Sequence, residues 1–200
     1  MFCDSCLPAS FYARDTVVVA RELLGMRLVR CLNGERLAGI ILETEAYHGQ
    51  EDLACHARAG HTPRTAVMYG PPGRAYVYFT YGMHWCLNCV TGEVGFPAAV
   101  LIRALVPLEG LEQIAAHRAH RAQAEWCSGP GKLTQALAVN GSLNGCDLTD
   151  PHAELRIEAG CPLADEQVIT GPRVGINRVA EPWRSIPWRF LARPQAWEAS

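Results

Sequence analysis

Lysine is almost missing from the sequence: Lys132 is the only one among 200 residues. Long apolar runs are missing too. A bilayer-spanning helix needs about 20 consecutive apolar residues, and the apolar stretches here are short and interrupted by charge, which excludes a membrane-spanning class. The start, Met1-Phe2-Cys3-Asp4, has no basic n-region and no long h-region, so no secretory signal is visible and a cytoplasmic location is expected. Internal repeats and low-complexity linkers are also lacking. A chain of this length reads as one domain, able to bury about 70% of its unfolded surface.

Nine cysteines are present, but no framework for pairing them. Their odd number and the missing export signal point to free thiols in a reducing compartment. Cys3-x-x-Cys6 and Cys86-x-x-Cys89 have metal-ligand spacing, which leaves a zinc-binding protein as one reading. Against it, Cys86 and Cys89 fall on opposite faces if their segment is a strand. No metal and no cofactor are expected.

The net charge is only −2, which at first sight discourages a polyanion partner. Its distribution is more informative. Between Leu53 and Gly92 there is no acid, while Arg58, Arg64, Arg74 and three histidines fall there. Pro182 to Trp197 carries Arg184, Arg189 and Arg193 and no acid either. A basic face for nucleic acid and an ordinary protein with uneven loops both fit this pattern.

In chain order, residues 1–10 read as a loose arm. Asp15-Thr16 can cap a helix that stops at Gly25. A strand from Arg27 to Cys31 leads through Asn33-Gly34, a two-residue hairpin signal, into a return strand that ends near Glu45. Loop and short helix follow to Thr65. The aromatic and β-branched segment from Ala75 predicts a strand, a tip at Tyr81-Gly82-Met83 and a second strand towards Val90. Tyr76 and Phe79 are expected in the core, whereas Tyr81 and Met83 sit at a tip that has no core to enter. An apolar strand from Ala99 to Leu105 contains Arg103, a position that demands a carboxylate or phosphate partner. A helix is expected over 109–125, and short strands over 155–158, 168–169, 173–176 and 189–191. Ser128-Gly129-Pro130-Gly131-Lys132 opens a helix reaching Val139 and is a plausible anion site. It is not a Walker A loop, because Trp126 stands where the first glycine should be.

The stretch that organises the rest is Glu43-Thr44-Glu45-Ala46-Tyr47. On a strand, Glu43, Glu45 and Tyr47 share one face. Carboxylates at the end of an apolar strand are costly to bury without partners or a chemical role. They are either a strand running out into solvent or a working pair, and spacing does not choose between Glu43 and Glu45.

These segments together are similar to the alkyladenine (3-methyladenine, hypoxanthine) DNA glycosylase family. The resemblance rests on Glu43-Thr44-Glu45-Ala46-Tyr47, Tyr76-x-Tyr78-x-x-Tyr81-Gly82-Met83, Asn88, Leu101-Ile102-Arg103-Ala104-Leu105-x-Pro107 and Ser128-Gly129-Pro130-Gly131-Lys132-Leu133. It runs from about Phe11 to Leu191. His84 and Thr65 depart from it, where an aromatic residue and asparagine are usual. The resemblance implies an α+β fold: a single compact domain with a curved antiparallel β-sheet, flanking helices and a protruding β-hairpin. The domain would span 11–193, between the arm and a tail at 194–200.

The implied activity is that of a monofunctional glycosylase of base-excision repair. A damaged purine is flipped out of duplex DNA and its N-glycosidic bond hydrolysed. Glu45 would be the general base and Arg103 its orienting counter-charge. Tyr47, His56 and Tyr78 would stack on the base, and Asn88 would crowd guanine's 2-amino group. Tyr81 would wedge into the vacated space beside Met83, and Lys132 would contact DNA. With Lys132 as the only lysine, no Schiff-base candidate is evident. The partner would be double-stranded DNA and the protein a monomer. A non-catalytic DNA- or RNA-binding module and a helix-hairpin-helix glycosylase are the remaining alternatives; the strand-rich chain and the far-upstream acid argue against the latter.

Overall fold

Local signals account for the first third of the architecture. In the computed structural model, which describes residues 5–119 and 121–193, helix α1 (Ala9–Tyr12) leads into α2 (Thr16–Glu22). Asp15 caps α2 by accepting from the N–H groups of Val17 and Val18 at 2.9 and 3.1 Å. Leu23 and Leu24 are fully buried behind it. Replacing this cap, Asp15→Ala, should lower stability by about 1 kcal/mol, read as a lower urea midpoint at unchanged slope.

Strands β1 (Arg27–Leu32) and β2 (Glu35–His48) are joined by Asn33 and Gly34, with φ of 51° and 84°. Two left-handed residues give the turn whose twist matches that of the flanking strands. The remaining strands are β3 (Ala75–Thr80), β4 (His84–Val90), β5 (Ala98–Glu109), β6 (Leu155–Glu158), β7 (Val168–Gly171) and β8 (Arg189–Ala192). They complete an antiparallel sheet in the order β3-β4-β5-β2-β1-β6. One edge of β2 pairs first with β1 and then with β8, which carries β7 on its other side; the opposite edge pairs with β5 along most of its length.

The β2–β5 pairing contains two irregularities that matter for function. Ile41 lies opposite Leu105, Glu43 opposite Ala104 and Thr44 opposite Ile102. Leu42 is thus an extra residue on β2 and Arg103 an extra residue on β5. A bulge reverses the alternation of faces and re-aims side chains. Ile41 and Leu105 therefore point into the main core, while Glu43, Glu45 and Arg103 point to the other side. Thr44 and Ala46 stay on the core side, where Thr44 donates to the carbonyl of Ala20 at 2.6 Å.

That core lies between the sheet and helices α2, α3 (Leu111–His117) and α4 (Pro130–Ala136), with Leu23, Ile102, Ile114 and Leu133 fully buried. A second, smaller apolar cluster forms on the opposite face at the β3–β4–β5 end, from Cys55, Ala57, Met68, Tyr76, Val90 and Ala99.

Several expectations need correction. The arm is not loose from Ser5 onward: Leu7 is buried and donates to Ile157 at 2.9 Å, and Ala159 donates to Ser5 at 2.9 Å. Residues 1–4 and the expected tail at 194–200 lie outside the described residues. The helix expected over 109–125 is α3 and a separate 3-10 turn at Gln123–Glu125; an ion pair from Arg36 to Glu109 (2.7 Å) holds Glu109 in β5, and Gly110, left-handed at φ 70°, delays the start of α3 to Leu111. The strand expected at 173–176 is a loop, since Arg173 is drawn inwards by a buried partner. Phe79 is 45% exposed and packs on Trp85 rather than in the core. Glu45 is not at the strand end: β2 continues to His48.

Candidate active site

The two carboxylates of β2 form a compact charged cluster with two arginines. Glu43 Oε1 accepts from Arg103 Nε at 2.7 Å and from Arg189 Nε at 2.6 Å. Glu45 is fully buried. Its Oε2 accepts from the Tyr47 hydroxyl at 2.9 Å and from Arg103 Nη1 at 3.3 Å, and its Oε1 accepts from the Val174 N–H at 2.6 Å. Two carboxylates thus face two guanidinium groups. The structure brings Glu43, Glu45, Tyr47 and Arg103 together and explains the presence of Glu43, which holds the arginine that reaches Glu45.

The environment separates the two acids. Burial raises the Glu45 carboxyl above its ordinary range, against the opposing pull of Arg103 and of the hydrogen bonds from Val174 and Tyr47. Burial also works against the charge on Arg103, but Glu45 and Glu43 outweigh it and the guanidinium stays protonated. An ionised carboxylate offers about four acceptor positions. The three donors on Glu45 leave one, on Oε1, for a further proton-bearing group. A buried carboxylate with one acceptor position left can take up a proton from a group that reaches it.

In front of this cluster lies a cavity of about 220 Å³. It is smaller than the roughly 300–1,000 Å³ typical of drug-sized ligands, a size suited to one heterocyclic base. Tyr47, His56, Tyr78, Asn88, Tyr81 and Arg103 all line it. Glu45 does not; it stands behind the wall made by Tyr47, Arg103 and Val174. Tyr76 and Tyr78 project to the same face of β3, with ring centroids 5.3 Å apart, and His56 packs edge-on to Tyr78 at 4.5 Å. The His56 ring is 3.0 Å from the Tyr76 hydroxyl. Burial, reinforced by Arg64, pulls the His56 imidazole down to about 4, so it is a neutral wall near pH 7 and not a proton donor. Asn88 is buried, and its amide donates to the Tyr76 carbonyl at 2.9 Å, which fixes its orientation at the cavity floor.

The hairpin of β3 and β4 carries Tyr81 and Met83 at its tip, 84% and 67% exposed. Tyr81 has φ 51°, a strained value for a bulky residue, and its side chain stands at the cavity mouth. The Ser128–Lys132 segment, which leads into the first turn of α4, sits alongside: Pro130 lines the cavity, and Gly131 approaches His84 so closely that an added Cβ would be 2.9 Å from its ring. Lys132 Nζ lies 3.2 Å from Ser128 Oγ and 3.5 Å from Glu125. His84 and Thr65, the two departures, are both accommodated. His84 packs on this segment, and the buried Thr65 hydroxyl donates to Gly60 at 2.8 Å to hold the loop ahead of the hairpin.

The sequence did not point to Val174, Arg173 or Asp52. A backbone N–H leaves no mark in a sequence, and Asp52 and Arg173 are 121 residues apart. Only the run of polar residues after β2 and the mistaken strand at 173–176 marked their neighbourhoods.

The family model for methylpurine-DNA glycosylase matches residues 10–196. The chain belongs to that family. Curated relatives provisionally named 3-methyladenine DNA glycosylases agree along nearly the whole length. The protein of Carboxydothermus hydrogenoformans is 52% identical over 187 residues, 94% of this chain and 95% of its own. That of Anaeromyxobacter dehalogenans (strain 2CP-C) is 53% identical over 192 residues, 96% of this chain and 85% of its own. That of Methanocella arvoryzae is 49% identical over 185 residues, 92% and 90% respectively. The chain is a DNA N-glycosylase of DNA repair, acting on DNA.

In this glycosylase the CxxC pairs do not assemble a metal centre among the described residues. Cys86 faces the cavity and Cys89 the main core, on opposite sides of β4, and Cys3 lies outside the described residues. The described cysteines are free thiols. No helix among the described residues is long and apolar enough to cross a membrane.

Proposed function

We propose that this glycosylase removes damaged purines (alkylated bases, hypoxanthine and 1,N6-ethenoadenine) from double-stranded DNA by hydrolysis, with a water activated by Glu45. The observation that carries the reading is a buried carboxylate, balanced by Arg103, behind an aromatic cavity sized for one base. A base inside the duplex stack is out of reach of such a cavity and must be flipped out, at a cost of a few kcal/mol. Tyr81 fills the vacated space, as apolar wedges do elsewhere in the minor groove, with Met83 beside it. Tyr47, Tyr78 and the His56 ring stack on the extruded purine. By family resemblance, the His56 backbone N–H favours a 6-substituent that accepts a hydrogen bond, and Asn88 excludes guanine through its 2-amino group, so selectivity works largely by exclusion.

Chemistry follows from charge. As the glycosidic bond breaks, its electron pair leaves with the base and the sugar becomes oxocarbenium-like, a state that nearby carboxylates stabilise. Water adds to C1′, its proton passes to Glu45, and an abasic site remains. Alkylated purines already carry the positive charge of a good leaving group, whereas neutral hypoxanthine and ethenoadenine need a proton on the base as it leaves. Lys132 contacts the DNA backbone from the first turn of α4, beside the hairpin. The protein acts as a monomer; it is monofunctional because its single lysine lies outside the cavity lining.

The test uses duplexes containing one hypoxanthine, one ethenoadenine or one 3-methyladenine analogue. Alkali after incubation should cut the strand at the modified position, and omission of alkali should leave it intact. Scission without alkali would overturn the monofunctional reading; no scission on any of the three would overturn the substrate class.

A further inference from the structure

The buried ion pair between Asp52 and Arg173 lies outside the reacting centre yet touches everything that frames Glu45. Both side chains are fully inaccessible, with Arg173 Nη1 and Nη2 at 2.5 and 2.9 Å from the two Asp52 oxygens. Arg173 Nη1 also donates to the carbonyl of Ala46 at 2.8 Å, between Glu45 and Tyr47 on β2, and Nη2 donates to Trp183 at 3.2 Å. The guanidinium lies over the rings of Tyr47 and Trp188, at 4.7 and 5.3 Å. Asp52 in turn accepts from the N–H of His48 at 3.2 Å and of Ala54 at 3.0 Å, two residues before His56. The pair therefore ties three segments at one point: the end of β2, the loop bearing His56, and the loop whose next residue, Val174, donates to Glu45.

We propose that Asp52 and Arg173 are positioning residues for the general base: their fork–fork pairing fixes the 173–176 loop so that the Val174 N–H is held on Glu45 Oε1. The inference rests on Glu45 acting as that base. Val174 itself is 46% exposed and lines the cavity. What fixes its backbone is the preceding residue, anchored by a bidentate geometry that lysine cannot reproduce. The N–H is the hydrogen bond on the Oε1 side of the carboxylate; Tyr47 and Arg103 hold the Oε2 side. Losing it would free the carboxylate to rotate away from the one open acceptor position that water needs.

A signature separates this role from plain structural support. The Val174 hydrogen bond favours the ionised form of Glu45, opposing the effect of burial. The other groups facing Glu45 are Arg103 from β5, Glu43 and Tyr47 from its own strand, and Cys86 from β4, with Arg189 of β8 acting on it through Glu43. Of these only Tyr47 touches the pair, through the Arg173 guanidinium over its ring. Releasing the loop should therefore move the acid limb of the pH–rate profile upwards, whereas a protein that is merely less stable loses activity uniformly across pH.

Single-turnover release of hypoxanthine from a duplex should be followed from pH 5 to 8 for the wild type, Glu45→Gln, Asp52→Asn, Arg173→Lys and the double variant Asp52→Asn/Arg173→Gln. The double variant removes both charges at once and leaves no unpaired buried ion, so it keeps the test valid if a single variant fails to fold. Folded variants of the pair should be about 10- to 100-fold slower at pH 7, with the acid limb displaced upwards and duplex affinity within about twofold of wild type. Arg173→Lys should lie between wild type and the double variant. A folded variant with an unmoved acid limb overturns the positioning role while leaving Glu45 in place. Wild-type rates in Glu45→Gln overturn the base itself, and with it this inference.

Discussion

Glu45→Gln should lower the single-turnover rate of base release by about 10²- to 10⁴-fold, the usual contribution of a general base, while the protein stays folded and binds damaged duplex as before. Glutamine keeps the shape, but its single carbonyl oxygen can accept either from Val174 or from Tyr47 and Arg103, and it cannot take a proton. The sign of the stability change is part of the prediction. A carboxyl whose folded pKa is raised binds its proton more tightly in the native state, so its ionisation works against the fold as pH rises through the folded pKa. Removing it should leave stability at pH 7 unchanged or slightly higher, measured by urea unfolding. The wild-type rate, for its part, should fall as pH drops through a value above the ordinary carboxylate range, and this limb should vanish in the variant's residual activity. A variant as active as wild type would remove Glu45 as the base. Damage-specific binding without release by the wild type would instead favour the non-catalytic binding module.

This site shows what kind of information a sequence of this type carries. The Asn33-Gly34 turn, the Asp15 cap and the aromatic hairpin were legible because each depends on neighbours within a few residues. So was the need for a partner at Arg103, since a charge inside an apolar strand can be recognised without knowing the fold. What remained hidden was non-local. Simple alternation puts Ile41 on the same face as Glu43 and Glu45, and the two bulges at Leu42 and Arg103 undo that. The acids and Arg103 meet because both strands are irregular at the same place, a property of the pairing and not of either segment. Arg173 misled for a similar reason: its apolar neighbours suggested a strand, but its buried partner Asp52 is distant in the chain and claims the side chain for a loop. Helix α3 starts only at Leu111 because Glu109 is held in β5 by an arginine from β2.

The exposed hairpin tip leads to the second large effect. Tyr81 is 84% exposed, so Tyr81→Ala removes no core packing and should change stability by no more than about 0.5 kcal/mol. If the ring serves only to occupy the space left by the flipped base, its loss should be felt only where there is a stack to replace. Aromatic stacking is worth about 1–3 kcal/mol per base, or roughly 5- to 150-fold. Hypoxanthine release from fully paired duplex should slow by that factor. Release from single-stranded DNA should stay within about threefold of wild type, and a mismatched site should fall between the two, because less stacking must be broken there. Parallel rate measurements on the three substrates separate the wedge from the alternative in which Tyr81, as part of the cavity mouth, contacts the reacting base directly. An equal loss on single-stranded and duplex substrates would assign Tyr81 to the cavity and leave the hairpin without a role in flipping; a loss confined to duplex would tie the strained backbone at φ 51° to holding the ring out where the stack must open.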